Sequence, residues 1–174
     1  MSDPRYPIGK FEAPAKIDNA TRDGWIADIA ALPASLRKAV EGLTAEQLDT
    51  PYREDGWTAR QVVHHVADSH MNAYIRCKLA ETEDGPAIKA YEEAEWAELE
   101  DAKTGDVAIS LALVEALHAR WVLYLRSLAD RRFERPVIHP VTGVHTVGKL
   151  CGIYSWHGRH HVAHITGLRE RMGW

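Results

Sequence analysis

The sequence predicts an all-α fold, a four-helix bundle with a long middle crossover connection and an extended N-terminal arm. Three observations lead there. Four long segments repeat their apolar residues at helical period, and neither a convincing set of strands nor an internal repeat is present. The chain has 174 residues, 45% hydrophobic and 26% charged, enough for one domain with a substantial core. Residues 1–174 are therefore read as a single domain.

Residues 1–17 carry Pro4, Pro7, Gly9 and Pro14 and predict an arm lying over the domain surface. Asp18 or Thr21 caps a first helix running to about Gly42, with Trp25, Ile26, Ile29, Leu32, Leu36 and Val40 on its apolar side. Pro33 falls inside this pattern. It lacks an amide donor and crowds the preceding turn, so it predicts a kink or a split near Leu32. Thr44-Ala-Glu-Gln47 is a capping-box pattern opening a short turn that ends before Pro51. Thr58 caps a long helix reaching about Glu83, its inward stripe formed by Val62, Val63, Val66, Ala73, Tyr74 and Cys77.

Residues 84–106 are rich in Gly, Pro and acidic residues, and predict a crossing connection with room for one helical turn. A link of this length lets the two middle helices run parallel. The third helix spans about Val107 to Ala129, with Leu111, Val114, Leu117, Trp121 and Leu125 inward. A turn at Val141-Thr-Gly-Val144 then separates two short extended pieces and leaves His139 and His145 on the surface. The last helix runs from about Thr146 to Arg171.

Charge and composition weigh against several classes. The net charge is −4 and the Lys and Arg residues are scattered, so no footprint for nucleic acid is visible. No apolar run approaches the roughly 20 residues of a membrane span, and the N-terminus lacks a signal-peptide core, which predicts no membrane association and a cytoplasmic location. Cys77 and Cys151 fall on apolar helical faces and read as core residues rather than a disulfide framework.

The histidines carry the chemistry. The last helix packs His157, His160, His161 and His164 into eight residues. Its apolar stripe (Val147, Leu150, Cys151, Tyr154, Ile165, Leu168) contains His161 and has His157 on its shoulder, while His160 points well off it. His157 and His161, at i and i+4, are surface neighbours able to close on one metal ion. On the second long helix His70 points inward, His65 lies on the flank and His64 points nearly away; His118 shares the inward face of the third. Periodicity alone selects His70, or else His118, as a third ligand before His65, and an ordinary buried histidine remains the plainer reading of each.

Three blocks carry a family resemblance: Arg5-Tyr-Pro-Ile-Gly-Lys-Phe11, the stretch from Gly56 to Asn72, and Trp156-His-Gly-Arg-His-His-Val-Ala-His-Ile165. In this order, across nearly the whole chain, the sequence resembles the DinB superfamily in its YfiT branch. The resemblance implies a four-helix bundle with one divalent metal ion per chain, zinc or nickel, held by one histidine of the second helix and two of the last. Carried over through Trp57, Thr58, Val62 and Val63, the first ligand falls on His65, against the inward stripe. The family's HxxHH pattern falls on His157, His160 and His161, giving His157 and His161 as the other ligands. Where the wider superfamily has Arg-Gly-Gln, this chain has Val162-Ala163-His164, which keeps a register with His160 and His164 open.

Three protein ligands leave a position for water or substrate. The resemblance implies either transfer of a low-molecular-weight, bacillithiol-like thiol to an electrophilic substrate or hydrolysis by an activated water. No pattern such as HExxH assigns a base, so the catalytic residues stay unknown, with Asp68, Glu115 or a non-ligand histidine as candidates, and that gap favours thiol transfer. Asn72, Arg76 and Arg159 are candidate substrate-binding residues, because guanidinium groups recognise the carboxylates of such a thiol. A homodimer is expected from the resemblance, and a non-catalytic dimeric module with a structural metal is the reading from another class.

Overall fold

The computed structural model describes residues 3–174. The four long helices are α1 (Asn19–Val40), α3 (Ala59–Thr82), α6 (Val107–Ser127) and α7 (Val147–Met172), with the short α2 (Ala45–Leu48), α4 (Glu93–Ala97) and α5 (Glu100–Thr104) between them. Their starts are fixed by side chains that meet otherwise unpaired amides. Asp18 accepts from the Thr21 amide at 2.8 Å, and Thr44 and Thr58 form full capping boxes with Gln47 and Gln61. Asp106 and Thr146 cap α6 and α7. The crossing connection holds two short helices, α4 and α5, where one turn is expected.

Pro33 does not split α1, which is continuous through it. The proline removes the amide that would bond the Ile29 carbonyl, and that carbonyl accepts instead from His118 Nδ1 at 2.6 Å.

Helix order around the bundle is α1, α7, α3, α6, with α1 against α6 closing the ring. Cross-helix bonds give the directions. His64 meets Ser110 near the starts of α3 and α6 and Tyr124 reaches the Cys77 carbonyl near their ends, so this middle pair runs parallel. Ser155 bonds Asp28 and Arg169 bonds the Ala39 carbonyl, so α1 and α7 also run parallel. The two pairs oppose each other, and the 83–106 link has to return along the length of the bundle. It is pinned at its start by the hairpin of β1 (Pro136–His139) and β2 (Gly143–Thr146), whose Ile138 exchanges backbone bonds with Pro86 and Ile88. His145 is buried in this hairpin, correcting the surface position expected for it, and bonds Thr142.

Helix α6 is long and apolar enough to cross a membrane by length and composition, contrary to the sequence expectation, because Glu115 and Arg120 interrupt an otherwise apolar run. In the fold it is a packed helix whose Leu111, Val114, Trp121 and Leu125 are buried.

The core divides into two apolar clusters. One gathers Ile26, Ile29, Ala73, Cys77, Trp121, Leu125, Cys151 and Tyr154; the other gathers Leu32, Leu36, Val62, Val66, Leu111, Val114, Ile165 and Leu168. On α3, α6 and α7 the buried residues between the two clusters include His70, His118, His160, His161 and His164. A layer of imidazoles thus crosses the middle of the bundle. Close approach of α1 and α7 needs Gly152, where a Cβ would sit 2.9 Å from the rings of both Phe11 and Trp25. Gly152→Ala is expected to lower stability by about 1–2 kcal/mol in denaturant unfolding, because displacing two rigid rings outweighs the gain in helix propensity.

Candidate metal centre

Antiparallel α3 and α7 bring His65, His157 and His161 together: one ligand atom from each lies within 4.8 Å of the other two. His65 Nε2 and His157 Nε2 are 3.2 Å apart. A tetrahedral site with metal–nitrogen bonds of about 2.0–2.1 Å has edges of roughly 3.3–3.4 Å, so the spacing fits one ion between them. His65 and His161 are buried, while His157 keeps part of its surface open.

Burial is the main cause holding these rings neutral. It pushes His65 down to about 4, helped by the nearby His160 and His164, and drives His157 and His161 well below the ordinary histidine value. Neutral imidazoles offer lone pairs, the state a divalent cation requires. Two ring nitrogens facing each other at 3.2 Å, with a third beside them, suit a cation better than they suit one another.

The flank position of His65 is sufficient because α7, not the centre of the core, is the neighbour it faces. His70, preferred by periodicity, lies one ring further out: its Nε2 is 3.1 Å from His157 Nδ1 and its Nδ1 3.0 Å from His118 Nε2. His118 is buried beside it. The alternative register is not what the fold assembles. His160 is buried, not turned away, because Trp156 stacks on it and Tyr6 of the arm lies against it. His164 stacks on Tyr52 at 4.0 Å and places Nδ1 3.4 Å from His161 Nδ1. The arm covers this side, with the Gly9 carbonyl accepting from the Trp156 indole. His64 is also buried, between Ser110 and the Gly105 carbonyl.

Of the expected substrate-binding residues, Arg76 is the one near the triad. It donates to the Tyr154 hydroxyl and to the Lys89 carbonyl, and the Tyr154 ring lies 5.5 Å from that of His157. Asn72 bonds the Asp68 carbonyl of its own helix. Arg159 is exposed, turned to α1 and paired with Asp28 at 3.3 Å, away from the three histidines. Glu115 is paired with Arg37 on the α1–α6 surface. Asp68 is half-buried one turn beyond His65, and burial raises its carboxyl to about 6, with Asp101 adding to the rise. Sequence reasoning missed Ser69, whose hydroxyl is 3.5 Å from His157 Nε2, and the Trp57 ring, which packs tilted against His65 with centroids 4.7 Å apart. The Gly56-Trp57-Thr58 block that aligned His65 held the signal for the second.

Comparisons with known proteins agree with the fold. A DinB superfamily model matches residues 28–165. A Bacillus subtilis protein named "Putative metal-dependent hydrolase YfiT" is 52% identical over 170 residues, covering 97% of this chain and 96% of that one. A Bacillus cereus protein also named "Putative metal-dependent hydrolase" is 53% identical over the full length of both. The solved structure of YfiT from Bacillus subtilis, described as a probable metal-dependent hydrolase with an unusual four-helix bundle topology, superposes with a TM-score of 0.96 over 98% of each chain. With the family model spanning most of its length and relatives at this identity, the chain belongs to the DinB superfamily.

Proposed function

We propose that the chain is a divalent-metal-dependent hydrolase in which His65, His157 and His161 hold one zinc or nickel ion. The observation that carries this reading is three neutral imidazoles gathered from two helices, with His157 partly open to solvent. When bound, such an ion supplies Lewis acidity that lowers the pKa of a water or thiol entering its free position. Asp68 then takes the role of base. A carboxyl titrating at about 6 is ionised at neutral pH yet basic enough to accept a proton from the attacking nucleophile. Arg76 and the Tyr154 hydroxyl orient a carboxylate or carbonyl oxygen of the substrate, and the apolar clusters on either side limit access of bulk water. The names of the Bacillus relatives point to the same chemistry.

Thiol transfer to an electrophile is the second reading, and Arg76 favours it, since a guanidinium beside the triad suits the carboxylates of a low-molecular-weight thiol. The protein is also proposed to form a homodimer. Ile109, Leu113 and Leu123 lie on one outward face of α6 and are exposed at 70%, 41% and 72%.

Four tests address these proposals. Protein purified without added metal should carry about one divalent ion per chain, lost when His65, His157 and His161 are all replaced by alanine; unchanged content removes the site. With metal bound, an ester panel without thiol should be turned over, whereas activity appearing only with added thiol and a chromogenic acceptor selects transfer. Asp68→Asn should reduce kcat about a hundredfold or more while stabilising the fold. The sign follows from the raised carboxyl: between its ordinary 3.8 and about 6 the folded chain binds more protons than the unfolded one, so stability is lost as pH rises through this window. The variant should gain about 1 kcal/mol at pH 7, a figure reduced for partial exposure, and nothing below about pH 3.8. For the dimer, Leu123→Lys should shift the sedimentation coefficient to that of a monomer.

A further inference from the structure

The hydrogen bonds behind the triad have a direction, and it can be read from their far end. The Ile29 carbonyl can only accept, so His118 carries its proton on Nδ1, bonded at 2.6 Å. A neutral ring has one N–H, which leaves His118 Nε2 as an acceptor for His70 Nδ1–H at 3.0 Å. His70 Nε2 in turn accepts from His157 Nδ1–H at 3.1 Å. The sequence of bonds ends with a lone pair on His157 Nε2, the atom 3.2 Å from His65 Nε2. We infer that His70 and His118 are positioning residues that lock the ligand His157 in its Nδ1–H tautomer and aim Nε2 into the triad. In water, a histidine side chain favours the opposite tautomer.

Pro33 belongs to the same device. In an uninterrupted helix the Ile29 carbonyl would accept from the amide of residue 33; proline has none, so the carbonyl is left for His118. A shorter chain of the same polarity serves His161: His164 Nε2 donates to the Arg5 carbonyl at 3.4 Å, and its Nδ1 accepts from His161 Nδ1 at 3.4 Å. Since the longer chain ends on a carbonyl, which has no use for a proton, it fixes orientation and does not conduct protons away. Outer partners of this kind are worth about 10–100-fold in metal affinity.

The inference rests on the triad being a metal site, but its first test does not need metal. Nitrogen-15 NMR of the metal-free full chain at neutral pH should find His157, His70 and His118 all protonated at Nδ1; an Nε2–H tautomer on His157 overturns the assignment whether or not the triad binds an ion. In zinc competition against a chromophoric chelator, His118→Phe should weaken affinity at least tenfold and lose the uniform tautomer. His118→Gln should restore both, because its amide can donate to Ile29 and accept from His70. Wild-type affinity and tautomer in a folded His118→Phe protein would reduce His118 to a packing residue.

Discussion

An imidazole taken out of water must have both ring nitrogens met, and this constraint organises the middle of the bundle. His65, His70, His118, His161 and His164 are all buried, with His157 only partly open. Ring-to-ring bonds meet several of these nitrogens, and the two chains they form run out to backbone carbonyls, Ile29 in the core and Arg5 in the arm. The inner set, one nitrogen each from His65, His157 and His161, converges from α3 and α7.

The frame of this arrangement was legible in the sequence because it is written in local chemistry. Asp18, Thr44, Thr58 and Thr146 announce the helix starts through their side-chain oxygens, and the apolar period gives the four long helices and their inward faces. His157 and His161 follow from i, i+4 spacing alone. His65 did not, because a hydrophobic stripe marks where a helix faces the core average, whereas a metal site lies between two helices and draws on flank positions. The burial of His160 and His145 was invisible for other reasons: Tyr6 of the N-terminal arm, distant in sequence, lies against His160, and His145 is enclosed only once its own hairpin closes and brings Thr142 and His139 to it. From sequence Pro33 predicts a kink or split in α1, and its consequence appears only once α6 brings His118 to the carbonyl that the proline leaves free.

In the proposed hydrolytic reading, stability and function pull apart at Asp68. Arg60 and Arg22, whose side chains are largely buried, are paired with Asp49 and Asp130, whereas burial raises the carboxyls of both Asp68 and Glu93. Asp68 is half-buried beside another carboxylate, Asp101, a placement that costs folding free energy and raises the pKa. A protein selected only to fold would put a neutral side chain there. Destabilised carboxyls of this sort concentrate where proton transfer is needed near neutral pH, which is why the position one turn beyond His65 carries weight in the hydrolytic reading.

Chain direction explains how one bundle can keep the centre fixed while leaving room for different substrates. Because α3 and α7 are antiparallel, climbing numbers on one match falling numbers on the other: Tyr52 meets His164, His65 meets His161, His70 meets His157, and Arg76 meets Tyr154. The arm and α2–α3 loop seal the His164 end, and α6 backs the triad through His118. The remaining border, past Ser69 and Tyr154, runs to the 83–106 link through Arg76 and Lys89. That link holds no ring nitrogen of the triad or its two chains. Its sequence can therefore change without disturbing the bonds that orient His157 and His161, so in the proposed reading substrate contacts and metal ligands belong to separate parts of the fold.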